Sequence, residues 1–254
     1  MLFNSLTFGI FLTLTYVLYW SFFRKDVGLR NIFLLVASYF FYGWWNWRLI
    51  PLIAGVSAVD FFAGKFIARQ RDSSGKGKGI LVAALVINLG VLCFFKYFNF
   101  FAESFSEAFS FLAGRESGFN PLNIVLPVGI SFYTFQGLSY VLDIYSGKTE
   151  PTRDVVSFFA FIAFFPQLIA GPIERSRDLL PQFSQKKEFD YESTRKGLLM
   201  IAWGLFKKMV IADRLAVFVD SVFADPASHP GISSVVAAHA LQPPQYATID
   251  SLLF

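Results

Sequence analysis

Long uncharged stretches alternate with short basic ones along this chain. Residues 2–23 carry no charge. At about 1.5 Å per residue, a helix of that length reaches about 33 Å, enough to cross a hydrocarbon core of about 30 Å. Residues 31–47 form a second uncharged run, and 49–64 a third, broken only by Asp60. Trp44, Trp45, Asn46, Trp47 and Arg48 separate them. Tryptophan favours the headgroup level, its ring apolar and its N–H polar, so this stretch reads as a tight interfacial turn. Residues 79–95 give a fourth span, and Lys96 at its end can snorkel to the interface. Residues 102–115 place Glu103 and Glu107 four apart among Phe105, Phe109 and Phe111. That pattern predicts a separate amphipathic helix at the outer interface.

Further on the apolar runs are interrupted. Residues 117–142 are uncharged but contain Pro121, Pro127, Gly129 and Gly137. Residues 155–173 are uncharged with Pro166, Gly171 and Pro172 near their end, and 174–187 read as a polar loop with Pro181. Residues 194–223 predict one helix on which Lys196, Lys207 and Arg214 share a stripe. A basic stripe suits a helix at the interface or beside a polar cavity. After Asp225 come Pro226, Ser228, Pro230, Ser233, Ser234, Pro243 and Pro244, which predict a poorly ordered tail. The expected fold class is all-α, a polytopic transmembrane bundle with re-entrant or broken helices. The main domain is expected over residues 1–224 and a divergent, disordered tail over 225–254.

Composition agrees with lipid as the solvent. The chain is 55% hydrophobic and 16% charged, where soluble domains carry about 25% charge. Its mean hydropathy is +0.51. Arg24, Lys25 and Arg30 follow the first run, and Lys65, Arg69, Arg71, Lys76 and Lys78 follow the third. If runs two and three form a hairpin, both basic groups lie on one side, which the positive-inside rule makes cytoplasmic. The N-terminus is then expected outside the cytoplasm. No basic start or small-residue cleavage site marks residues 2–23 as a removed signal, so they read as a retained anchor. The net charge of +4 sits between spans and does not point to nucleic acid. One cysteine, Cys93, excludes an intrachain disulfide and a multi-cysteine metal site.

Two constellations carry candidate chemistry. Pro127 and Gly129 break an apolar run beside Ser131, Tyr133, Thr134 and Gln136. Such backbone is tolerated at membrane depth where it is buried in protein or lines a cavity. Two readings stand: a kinked helix whose polar groups bond to its neighbours, or the lining of a substrate cavity. Pro166, Gly171 and Pro172 are followed by Glu174 and Arg175, as in a re-entrant element or an ordinary span ending in a turn. Asp60 and Asp143 lie near expected helix ends, which suits a cap or salt bridge better than an intramembrane functional carboxylate. His229 and His239 fall in the tail and read as solvated. No nucleophile elbow, P-loop, dinucleotide fingerprint or zinc motif is present.

The string Leu126-Pro127-Val128-Gly129-Ile130-Ser131-Phe132-Tyr133-Thr134-Phe135-Gln136-Gly137, continuing to Asp143 and Tyr145, resembles the signature stretch of the membrane-bound O-acyltransferases. So do residues 164–175, with Leu180-Pro181-Gln182 after them. Residues 2–5 and 203–214 fit the branch of alginate O-acetyltransferases and teichoic acid D-alanyl transfer proteins. The resemblance implies acyl transfer, of acetyl in particular, to hydroxyls of an exported polysaccharide such as alginate, in the bacterial inner membrane. It implies a helical chamber, an acyl donor rather than a bound cofactor, and soluble or periplasmic partner proteins. Candidate chamber or entrance positions are Tyr133, Gln136, Pro166, Gly171, Pro172 and Arg175. It places the family's catalytic histidine beyond residue 254, so no catalytic residue and no metal ligand is assigned here. The chain is expected to be a truncated member, inactive alone. A non-catalytic scaffold or a transporter subunit of an export complex is the alternative reading.

Overall fold

The computed structural model describes residues 5–70, 76–113, 124–168, 171, 174–225, 228 and 231–240. Most of these residues are helical, with no strand among them. The helices are α1 (Leu6–Leu18), α2 (Val27–Asn46), α3 (Ile50–Arg69), α4 (Lys76–Ala113), α5 (Ile130–Tyr145), α6 (Val155–Ile162), α7 (Ser176–Ser184), α8 (Tyr191–Phe206), α9 (Asp213–Ala224) and α10 (Gly231–Ala240). Leu6–Phe23, Val27–Arg69 and Gly77–Ser106 are long and apolar enough to cross a membrane. Exposed Leu6, Ile10 and Leu14 on α1 and Val82, Val86 and Ile87 on α4 face outward. Apolar surface this continuous on a water-soluble protein would drive association, and in lipid it is simply solvated.

Three helix starts have a clear local cause. Ser5 caps α1 through its hydroxyl and Phe8 N–H at 3.2 Å. Asn46 is extended, with φ −158° and ψ 105°, and its side chain accepts from Arg48 N–H. It separates α2 from α3 with one short 3-10 turn, Trp47–Leu49, where the tryptophan-rich turn is expected. Asp154 caps α6 by accepting from Val156 N–H at 3.0 Å.

Four expectations are corrected. The amphipathic helix expected at 102–115 is not separate: α4 runs unbroken over 38 residues, because nothing between Lys96 and Ala102 breaks a helix. Of the two readings of the run at 155–173, the ordinary long span is set aside. Among its described residues only Val155–Ile162 is helical, about 12 Å long, and residues 163–168 turn. The loop expected at 174–187 contains α7, whose Pro181 lies inside the helix. The helix expected at 194–223 begins at Tyr191 and passes through a π-helical turn, Lys207–Ala212, which rotates Arg214 off the stripe a regular helix would give. In the tail, Gly231–Ala240 is helical, and Ala237 is buried with Val219 and Val222.

The described residues group into two compact units. The first draws on 1–33, 165–172 and 185–254. In it Tyr16 Oη and Thr194 Oγ1 hydrogen-bond at 2.9 Å, and Trp20 meets Phe189 edge to face. Arg30 is fully buried there rather than sitting in a basic loop. Its Nη1 donates to Gln185 C=O at 2.7 Å, and its Nε and Nη2 donate to Asn31 Oδ1. The second unit draws on 34–164 and 173–184. In it α3, α4 and α5 pack mutually, α6 packs on α3 and α5, and α7 on α5 and α6. Ile53, Phe61, Val141, Ile144, Phe158 and Phe161 fill its core.

Candidate functional site

The second unit gathers polar side chains inside an apolar bundle. Helix α5 starts abruptly because Gly129 takes φ 72°, a left-handed conformation that glycine adopts at little cost. Pro127 C=O accepts from Ile130 N–H and Gly129 C=O from Tyr133 N–H. The Pro-Gly break is therefore a helix start, not a kink, and it delivers Tyr133, Thr134 and Gln136 into the first turns of α5. All three are buried.

Each has a distinct setting. The Tyr133 ring meets Tyr42 of α2 edge to face, centroids 6.5 Å apart. The Tyr42 and Tyr133 hydroxyls interact with each other, and neither they nor the buried Tyr39 hydroxyl and Thr134 Oγ1 makes a hydrogen bond of normal geometry among the described residues. A buried unsatisfied polar group costs about 1–3 kcal/mol, so the neighbouring Tyr42 and Tyr133 hydroxyls mark a place that can take something polar. Gln136 Nε2 donates to Phe161 C=O at 3.2 Å, tying α5 to α6. Deeper along α5, Tyr140 Oη accepts from Thr152 N–H at 3.2 Å.

Asp60 was expected near a helix end. It lies in the middle of α3, fully buried, and Asn88 Nδ2 of α4 donates to its Oδ1 at 2.8 Å. The expected run ended at residue 64, whereas α3 continues to Arg69, which moves Asp60 inward. Its Oδ2 is buried without a hydrogen-bond partner. Asp143 does lie near the end of α5, half-buried.

The remaining candidates are elsewhere. Gly171 is buried in the first unit, its N–H donating to Gln167 C=O at 3.0 Å, with Pro166 half-buried in the turn before it. A side chain at 171 would collide with Gln167 Cα at 2.6 Å, so this turn needs glycine. Pro172 lies outside the described residues. Arg175 is exposed before α7, its C=O accepting from Asp178 and Leu179 N–H. Tyr133 and Gln136 thus share one helix, while Pro166 and Gly171 share one turn. His239 is exposed on α10, and His229 lies outside the described residues. No group of three or more metal-ligating side chains occurs among the described residues. Asn88 and Tyr42 escaped sequence reasoning, which read Asp60 as a cap or salt-bridge partner. Only their polarity inside apolar runs could have flagged them.

Apolar spans around buried polar side chains define a polytopic membrane protein with an internal polar site. Comparison with known proteins adds the lineage. The chain is 38% identical over 198 residues to the probable alginate O-acetylase AlgI of Pseudomonas aeruginosa, covering 77% of this chain and 37% of that protein. It is 33% identical over 227 residues to a peptidoglycan O-acetyltransferase of Helicobacter pylori, covering 79% and 42%. It is 28% identical over 108 residues to the teichoic acid D-alanyltransferase of Bacillus subtilis, covering 42% and 27%. The chain belongs to the membrane-bound O-acyltransferase family. It spans about two fifths of the length of the first two relatives. No family model matches it, and no solved structure matches it.

Proposed function

We propose that this chain is part of an O-acyltransferase that moves an acetyl group onto hydroxyls of an exported cell-surface polysaccharide such as alginate. The observation that carries the reading is its 38% and 33% identity to two proteins named for O-acetyl transfer to such polymers. In that reaction a sugar hydroxyl oxygen attacks the acyl carbonyl and gives its proton to a base. The bond from acyl group to carrier breaks, and the carrier leaves with a proton. General-base help of this kind contributes typically about 10²–10⁴-fold.

The chain's part in the reading is to build the chamber. Tyr133 with Tyr42 and Thr134 offers hydroxyls to a polar substrate group, and the Gln136 amide holds α6 beside them. Arg175, exposed before α7, meets the anionic carrier of the acyl donor at the cytoplasmic mouth. The reading sets the protein in the bacterial inner membrane with its N-terminus outside the cytoplasm, served by soluble or periplasmic partners. Arg24 and Lys25 between α1 and α2, with Lys65 and Arg69 ending α3, support that orientation.

The test is ester-linked acetate on the polymer, in a host lacking its own polysaccharide O-acetylase and carrying the intact enzyme that contains this chain. Acetylation is expected to return, and Tyr133→Phe and Gln136→Ala are expected to lower its rate. Membrane-inserted protein with no acetate on any polymer hydroxyl would overturn the reading. Polymer uptake or export without ester formation would replace it with a transport role.

A further inference from the structure

The buried carboxyl on α3 has no part in the acyl-transfer reading above, yet it is closely held on two sides in the second unit. Asp60 Oδ1 is held by Asn88 Nδ2 at 2.8 Å, and the same Nδ2 donates to Ala84 C=O at 2.9 Å. The amide therefore ties the carboxyl to the α4 backbone. On its other side the carboxyl presses on α5. A Cβ placed on Gly137 would stand 1.8 Å from Asp60 Oδ2, so only glycine fits there. One turn further along α3, a Cβ on Gly64 would stand 2.7 Å from Ile144 Cδ1 and 2.8 Å from Tyr140 Cε1. The crossing of α3 and α5 is pinned at two points, each a glycine received by a side chain of the other helix. Small residues that let helices approach closely are how membrane helices associate where the hydrophobic effect is absent.

Tyr133 precedes Gly137 by four residues and Gln136 by one. Any shift or rotation of α5 at Gly137 moves both. We infer that Asp60 is a positioning residue: clasped between Asn88 and Gly137, it fixes the depth and rotation of α5 on α3 and α4, and so sets where Tyr133 and Gln136 stand. The clasp itself needs nothing from the functional reading. Only the consequence for catalysis rests on the acyl-transfer proposal. A hydrogen-bonding carboxyl in this role is replaceable by an amide, which keeps the acceptor for Asn88 and the volume beside Gly137. A carboxyl that carried a proton or charge in the reaction would not be.

The experiment compares Asp60→Asn, Asp60→Leu, Asp60→Ala, Gly137→Ala and the double variant Asp60→Ala/Gly137→Ala in the intact enzyme in lipid nanodiscs. Hydrogen exchange of the Ile130–Tyr145 amides reads the position of α5 without reference to activity, and acyl transfer reads its consequence. Asp60→Asn is expected to keep α5 protection and transfer near wild type. Asp60→Leu and Gly137→Ala are expected to raise α5 exchange by about tenfold or more and to lower kcat more than they raise KM. The double variant is expected to be milder than the two singles combined, because removing the carboxyl makes room for the new Cβ. If Asp60→Leu fails to accumulate, Gly137→Ala and the double variant still report on the clasp. Unchanged α5 exchange in Asp60→Leu or Gly137→Ala overturns the inference. So does an Asp60→Asn protein that keeps α5 protection and loses transfer, or full additivity in the double variant. Variants that show these exchange effects while the wild-type protein transfers no acyl group leave the clasp standing and remove the functional reading instead.

Discussion

At the level of single residues, glycine and asparagine decide most of what matters. Gly64 and Gly137 receive side chains from the facing helix, while Gly55 on the same helix as Gly64 has nothing within 4 Å. Their substitutions are therefore expected to act in opposite directions. Gly64→Val forces a branched side chain against Tyr140, whose hydroxyl is held by Thr152, and should destabilise the second unit by about 1–3 kcal/mol. Gly55→Ala should stabilise by about 0.4–1 kcal/mol, since it removes chain entropy and meets no neighbour. Thermal midpoints in nanodiscs report both, and a shared sign would show that helix propensity alone governs them. The burial of Tyr133 and Gln136 was legible in the sequence, because polar groups beside a Pro-Gly break in an apolar run have few places to go. Asp60 was misread because its depth depends on where α3 ends, and lysine and arginine at 65 and 69 looked like a loop. They are the last turns of the helix, with Lys65 Nζ over the Phe61 ring at 4.3 Å. The partner Asn88 and the receptive Gly137 belong to α4 and α5, and no local pattern names such a meeting.

Among the helices, the long apolar ones were readable and the interruptions were not. Uncharged length fixed α1, α2, α3 and most of α4, since lipid requires all backbone bonds within the segment. The extent of α4 was lost because Lys96 and the glutamates looked like a boundary, though no helix breaker lies there. The π-helical turn between α8 and α9 has no sequence mark, and Lys208 and Asp213 close it with a 2.9 Å ion pair. The start of α8 is the clearest electrostatic device. Asp190 accepts from the Ser193 hydroxyl and N–H and from Glu192 N–H. The Ser193 hydroxyl, then those backbone donors, hold its carboxyl below the usual aspartate range. A depressed folded value means the cap acts above the unfolded value of about 3.9 and is lost as pH falls through the lowered one. Hydrogen exchange at Tyr191–Arg195 is expected to rise on acidification in that window, and in Asp190→Ala at neutral pH. Exchange that stays the same in the variant would mean that contacts elsewhere, not the cap, hold this turn.

For the molecule as a whole, the bilayer explains the exterior and the buried polar cluster explains the interior. Leucine, valine and phenylalanine face outward along α1 and α4, while Arg30 is buried within the first unit and Asp60, Asn88 and Gln136 within the second. That inversion holds only if the outward face meets lipid and α4 crosses it from end to end. Lys78 and Glu103 are both exposed on α4 and stand 25 residues apart, about 38 Å along the axis, beyond a hydrocarbon core of about 30 Å. The most direct measurement is side-specific labelling of single cysteines, Lys78→Cys and Glu103→Cys, in a Cys93→Ser background in sealed vesicles, with a reagent that cannot pass the membrane. The two positions are predicted to react from opposite sides. Labelling of both from one side, or release of the chain from the vesicles without detergent, would contradict a membrane-spanning fold built around a polar interior.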